Sequence, residues 1–497
     1  MDSIDLPSQV PATRIREGNS NLVRTNGDFV LYWMIANRRS TYNFSLDRAV
    51  DWAEHLQKPL VIFEALRCDY RWASDRIHSF VAEGMCANAA AFKQESVLYY
   101  PYLEPKLGAG KGALNWLAKR AAVVISDDFP CFFLPRMVTA AAEQIPVRFE
   151  LVDSNGLFPM RATDRVFARA FDFRRYLQKN LVPHLAEVPR PQPFKKRRLI
   201  APPKALLGDF EKKWPRLDTA QNSDLRKFPI DHSVHVVREL PGGSAFANAR
   251  MQSFLKSRLL DYGEKRNEPE VEGASGLSPY LHFGHVSAHE IFAWIIKTFE
   301  WTPEMVNPKA KGSSQGWWGL NASVESFLDE LITWRELGYN RCALTDDFDR
   351  YESLPEWAQA TLQKHAKDLR PVVYALKQLE QSATHDQLWN AAQTQLVREG
   401  RIHNYLRMLW GKKILEWSAT PREALASLIE LNNKYALDGR NPNSYSGIFW
   451  VLGRYDRAWG PERPIFGTIR YMSSDNTARK FSVKGYLKKY SGTVGID

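Results

Sequence analysis

The chain has little cysteine and no long apolar run, and each shortage excludes a class of protein. Its four cysteines, Cys68, Cys86, Cys131 and Cys342, stand singly along 497 residues. No pair has metal-ligand spacing, so a cysteine-held zinc or iron–sulfur centre is not expected, and no disulfide framework is suggested. His282, His285, His385 and His403 show no zinc spacing either and read as structural, so no metal is expected. No segment approaches the ~20 apolar residues of a membrane-spanning helix. The opening residues, MDSIDLPSQVPATRIREGNSN, contain no apolar core of a secretory signal. A reducing compartment is therefore expected: cytoplasm, in contact with the nucleoid, or nucleus in a eukaryotic host. Internal repeats and low-complexity tracts are absent too.

What is present is positive charge and tryptophan. Lysine and arginine number 67 against 56 acidic residues, a net charge of +11. That balance favours a polyanionic partner, nucleic acid or an anionic membrane surface; a basic enzyme with no such partner is the alternative. Of 16 tryptophans, three fall within Thr384 to Trp417, THDQLWNAAQTQLVREGRIHNYLRMLWGKKILEW. Trp389, Trp410 and Trp417 there surround a cationic helix face that includes Arg407. Indole is bulky and oxidisable, and such a cluster beside an arginine points to an aromatic or redox-active ligand.

The length allows about two to four domains, and the patterning changes along the chain. Residues 1–28 read as a flexible tail. Over 29–185, the apolar runs FVLYWM, PLVIFEAL, SVLYYP, AAVVISDDF and PVRFELVD alternate with helical patterns such as LDRAVDWAEHLQ and RIHSFVAEGMCANAAAFKQ. Strands separated by helices predict a parallel sheet covered on both faces. Residues 186–235 are rich in proline and lysine and read as an interdomain linker. Its run Lys195-Lys196-Arg197-Arg198 either touches a phosphate backbone or is simply solvated. From residue 236 to 497 helical segments follow one another, separated by Gly, Pro and Asn, with no convincing strand.

Single motifs carry unequal weight. GAGKGALNW, from Gly108, lacks the spacing of a phosphate loop and reads as a loop entering a helix. EGASGLSPYLHFGHVS places Gly273, Ser275, Gly276 and Ser278 before a helix expected near His285. Small residues and hydroxyls of this kind either cradle a pyrophosphate or form a plain glycine-rich turn. SFLDELITWRELGYN puts Glu330 and Trp334 four apart on one helix face, able to bond a base edge and stack on the base. The plainer reading is a surface acid beside a core indole. LNNKYALDGRNPNSYSGIFW supplies Asn432, Asp438 and Trp450; Asp438, following a helix, can pair with Arg407 near a ligand, the plainer reading being a structural ion pair.

Together these segments resemble the photolyase/cryptochrome family, and more closely its class II cyclobutane pyrimidine dimer photolyases. The resemblance is carried by SGLSPYLHFG, ELITWRE, THDQLWNAAQ, GRIHNYLRMLWGKKILEW, LNNKYALDGRNPN and RPIFGTIRYMS. It is dense from residue 240 onward and weaker before. It implies an N-terminal α/β, Rossmann-like antenna domain, a linker and an all-α C-terminal domain that binds FAD. Tyr262, Ser275, Gly276, Leu277 and Ser278 would contact the FAD phosphates and ribityl chain. Arg407 and Asp438 would form an ion pair against the isoalloxazine, and Asn432 would face its N5. Glu330 would bind the thymine edge of a flipped lesion, with Trp334, Trp450 and Met408 in its pocket. Trp410, Trp389 and Trp417 would carry electrons to the flavin. The activity implied is light-driven repair of dimers in double-stranded DNA by electron transfer from excited, reduced FAD. The protein would work as a monomer, without metal or membrane. An antenna chromophore, deazaflavin or folate, is compatible with the α/β domain.

The chain departs from the class II pattern in places. Gly338 and Tyr339 replace a more usual Ser-Asp, Asn404 a glycine and Tyr455 a histidine, and IANRRSTYNF differs from the usual wording. These positions bear on lesion preference and antenna more than on flavin binding. Two other functions share the resemblance: repair of the (6-4) photoproduct, and a cryptochrome-like photoreceptor without repair. A basic nucleic-acid-binding protein without flavin is the third alternative.

Overall fold

A computed structural model describes residues 6–219 and 224–492. The first half is built on a six-stranded sheet: β1 (Ile15–Glu17), β2 (Phe29–Met34), β3 (Leu60–Leu66), β4 (Val97–Leu103), β5 (Ala121–Asp127) and β6 (Phe149–Val152). The strand order is β1-β6-β5-β2-β3-β4. Every neighbouring pair is parallel except β1 with β6. Crossover helices such as Phe44–Leu56 and Asp75–Phe92 link the parallel strands, as parallel pairing requires. Central strand β2 is buried along its whole length. Its alternate residues point to opposite faces. Val30, Tyr32 and Met34 pack with Leu46 and Trp52 of the first helix, and Phe29, Leu31 and Trp33 belong to the core on the other side.

Two expectations are corrected here. The stretch expected to be a tail is ordered within the described residues. Ile15–Glu17 adds an antiparallel edge strand, Ile15 opposite Val152. Just before it, the buried Arg14 guanidinium donates to Gly156 O (3.0 Å) and Leu157 O (2.7 Å). The segment carries no apolar signal because backbone ladder bonds and one arginine hold it. The second correction concerns the linker. Leu206, Leu207, Phe210 and Trp214 are buried in the core that covers β2, and Trp214 Nε1 donates to Ala109 O at 2.9 Å. Of the basic run, Arg197 is paired with Asp51 (3.2 Å) and Glu54 (2.8 Å) on the first helix. The loop at Gly108 does lead into a helix, Ala113–Arg120.

In the second half every regular element among the described residues is a helix. Side-chain caps fix several helix starts. Asp386 accepts from Trp389 N (3.0 Å), Thr420 from Glu423 N (3.2 Å) and Asn441 from Ser444 N (2.8 Å). The halves are tied at residues 156–158, where the buried Glu336 carboxyl accepts Leu157 N (2.7 Å) and Phe158 N (3.0 Å). Close approach matters here, because a Cβ on Gly156 would collide with that carboxyl. Among the described residues no helix is long and apolar enough to cross a membrane.

Candidate flavin and lesion site

A cavity of about 590 Å³ opens in the helical half, within the size range of cofactor sites. Its wall brings together Tyr262, Ser275, Gly276, Ser278, Arg407 and Asp438, residues spread over 177 positions of sequence from Tyr262 to Asp438, inclusive. A smaller cavity of about 120 Å³ shares Tyr262, Ser275 and Ser278 and adds Leu277. Glu330 lines both. Arg407 Nη2 lies 3.2 Å from Asp438 Oδ1 and 3.3 Å from Oδ2. Ser278 Oγ donates to the same carboxylate at 2.7 Å, so the serine turn and the ion pair are one connected unit.

The helix expected near His285 is Ala288–Thr298, capped by Ser287. A single turn, Ser278–His282, with Pro279 in its first positions, precedes it. Proline is favoured at that first turn because its missing N–H leaves no helical bond unmade. His285 is buried, and its Nδ1 accepts the Gly243 N–H at 3.0 Å, in line with a structural role.

Glu330 and Trp334 sit on a π-helical turn, Asp329–Trp334, inserted between two α-helical segments, Ala322–Leu328 and Arg335–Leu344. Such turns carry one extra residue and recur at functional sites. Here Arg174 grips Asp329 through two bonds of 2.7 and 2.8 Å, and Arg266 pairs with Glu330. Burial raises the Glu330 carboxyl above the ordinary glutamate range, and Arg266 opposes that rise. Trp334 and Trp450 are half-buried and stack on each other at 4.9 Å between centroids. Four expected contact residues line neither cavity: these two indoles, Asn432 and Met408. Asn432 is buried, its amide donating to Ser444 Oγ (2.7 Å) and Asn433 Oδ1 (3.1 Å). Met408 packs against the hydrophobic core.

Trp410, Trp389 and Trp417 are all interior, at 3%, 0% and 2% exposure. Trp410 Nε1 donates to Gln393 Oε1 at 2.9 Å, and Trp389 Nε1 to Trp410 O at 3.0 Å. The Trp389 and Trp417 rings meet edge to face at 5.5 Å. Trp417 in turn contacts Tyr374 and His385, each at 5.3 Å, and the Tyr374 hydroxyl lies 2.7 Å from His385 Nδ1. His385 is exposed, so the aromatic cluster reaches solvent through a histidine of the motif THDQLWNAAQ and through Tyr374, which lies outside it.

Other cavity residues were also not legible beforehand. Arg250, Arg401 and His403 line the large cavity. Burial holds the His403 imidazole down, near a pKa of about 4, so it is neutral at ordinary pH. Arg266 lines neither cavity but holds Glu330; it had a readable signal, four residues after Tyr262 on one face, and its guanidinium covers that ring at 5.5 Å. Arg250 and Arg401 had none, since isolated arginines on helices are common. No group of three or more His, Cys, Asp or Glu able to hold a metal occurs among the described residues.

Known proteins bear on this geometry. No family model matches the chain. A deoxyribodipyrimidine photo-lyase of Methanothermobacter thermautotrophicus is 32% identical over 486 residues, 98% of this chain and 99% of the relative. One of Potorous tridactylus is 32% identical over 467 residues, 93% of this chain and 81% of its own length. Among solved structures, a bacterial class III photolyase from Agrobacterium tumefaciens superposes with a TM-score of 0.67 at 14% identity. It covers 93% of this chain and 86% of its own. A Synechocystis cryptochrome gives 0.63 at 16% identity, covering 93% and 88%. Full-length similarity to the enzymes, with the fold shared by the solved structures, shows that the chain belongs to the photolyase/cryptochrome family.

Proposed function

We propose that the chain repairs cyclobutane pyrimidine dimers in DNA with light, using FAD held in the large cavity. The observation that carries this reading is the position of Glu330. One carboxyl borders both cavities and shares its π turn with one of the two stacked indoles. A cofactor and an extruded base are thereby brought to a common wall.

The residues fit the group. Serine hydroxyls and the glycine turn suit a diphosphate, and the Arg407–Asp438 pair offers a cation and an anion to a polar ring system. Reduced, photoexcited FAD supplies the electron that opens the cyclobutane ring. The protein's part is to bind, orient and insulate. Extruding two linked bases costs a few kcal/mol, least for a lesion that stacks badly, and the paired indoles return stacking energy. Glu330, oriented by Arg266, offers carboxylate oxygens that can accept from an imide N–H of the base. Trp410, one turn beyond Arg407 on helix Asn404–Trp417, starts an insulated aromatic path along which the cofactor is recharged.

The test is a visible absorption spectrum of the purified protein, followed by repair of dimer-containing DNA in light and in darkness. Flavin absorption with light-dependent loss of dimers is the expected result. A flavin-bearing protein that leaves dimers intact under illumination would replace this reading with the photoreceptor one, and a colourless protein would remove both.

A further inference from the structure

The cations around the large cavity are not equivalent. Arg407 is paired with Asp438, Arg401 with Glu272 and Glu399, Lys489 with Glu399, and Arg266 with Glu330. Arg250 alone of these has no carboxylate partner among the described residues. It projects from the helix Ser244–Ser257 into the cavity wall. Its guanidinium bonds the Tyr280 hydroxyl, which is itself committed to Pro241 O at 2.8 Å; the Glu272 carboxylate also feels its charge but is already held by Arg401 at 2.6 and 2.9 Å. The guanidinium stands over Gly276, where any Cβ would collide with Nη1, and Gly276 adopts a φ of +68°. Gly276 therefore does more than allow a tight turn. It clears the space through which Arg250 reaches the Ser275–Ser278 cradle.

We propose that Arg250 is a further cofactor-binding residue, whose guanidinium takes the diphosphate of the dinucleotide against the Ser275–Ser278 turn. An unpaired cation beside hydroxyls and a glycine turn is complete only with an anion, and a planar guanidinium bonds phosphate oxygens two at a time. This rests on the flavin reading above.

The experiment compares the deflavinated full-length wild type with Arg250→Ala and Arg250→Lys. Dissociation constants are measured by titration for FAD, riboflavin and inorganic pyrophosphate, at low and high salt. Arg250→Ala should weaken FAD about tenfold or more, the scale of a lost charge-assisted hydrogen bond. It should also flatten the salt dependence, abolish pyrophosphate binding and leave riboflavin unchanged, while Arg250→Lys recovers part of the loss. Unaltered FAD affinity in Arg250→Ala overturns the proposal, as does an equal loss for riboflavin, which would mark a structural defect. If the wild type takes up no FAD, the flavin reading fails by itself. Pyrophosphate binding then still decides for or against Arg250.

Discussion

The indoles of Trp334 and Trp450 lie face to face, with centroids 4.9 Å apart and planes 23° from parallel. They do not stand opposite each other across a slot, so a base cannot enter between them without parting them. They form one stacked aromatic pair, and in the proposed function an extruded base would meet its outer surface. Removing either ring should thin that stack. Trp450→Ala and Trp334→Ala should each weaken binding of dimer-containing DNA by about 1–3 kcal/mol, the range for stacking of a base on an aromatic side chain. Undamaged DNA should be bound as before. Filter binding or fluorescence titration at fixed salt decides it, and equal losses on damaged and undamaged DNA would assign the rings to general DNA contact instead.

Glu330→Ala should retain flavin and bind lesion DNA, yet repair about tenfold or more slowly per absorbed photon, from the loss of a charge-assisted hydrogen bond. Glu330→Gln, which keeps a donor and an acceptor, should fall between. The measurement is dimer loss under calibrated illumination. Wild-type rates in the alanine variant would remove Glu330 from the reaction.

For the aromatic path, Trp410→Phe should abolish light-driven reduction of the flavin while leaving its absorption in place. Tyr374→Phe should leave the first electron transfer intact and shorten the lifetime of the charge-separated state, because Trp417 is buried and meets solvent through Tyr374 and His385. Transient absorption separates the two. Identical decay in the wild type and Tyr374→Phe would place the exit elsewhere.

Stability should depend on pH through Glu336. Burial lifts its carboxyl to about 7, against the partial opposition of Arg335 and the two backbone N–H donors. An unfolded glutamate titrates near ~4.3. Between these values the folded state holds a proton that the unfolded state has released. This contribution is thus fully present below the unfolded value and is lost as pH rises through about 7. Thermal unfolding from acid to mildly alkaline pH should show Tm falling over that window, with a shallower fall in Glu336→Gln. A slope unchanged by the substitution would falsify the assignment.

Much of this was legible in the sequence. Five strands follow from runs such as FVLYWM and AAVVISDDF, since a strand buried on both faces is written as uninterrupted apolar residues. The Ser275–Ser278 turn and the Arg407–Asp438 pair were legible because local chemistry and spacing survive in a motif. Ile15–Glu17 was not, because it is held by ladder bonds that any side chains permit. The covering role of Phe210 and Trp214 was hidden by the proline and lysine around them. Asn432 looked like a cavity residue, but a helix face is fixed by packing, and this one turns toward Ser444. Arg250 was invisible for another reason: what sets it apart is that it forms no ion pair among the described residues, which only the assembled cavity displays.

The π turn at Asp329–Trp334 has a consequence for how this helix tolerates change. One surplus residue shifts the angular phase of everything beyond it, so Val324 and Phe327 upstream and Gly338 downstream face the core by different registers. Gly338 sits against the Pro442 carbonyl with no room for a Cβ, and that contact fixes the downstream segment. Excising a single residue from 329–334 would therefore not shorten the site smoothly. It would rotate the upstream half by about 100°, one residue's turn of an α-helix, and swing Glu330 away from the cavities while the tryptophan pair stayed behind. Carboxyl and indole are synchronised by a defect in the helix, and a more regular helix would separate them.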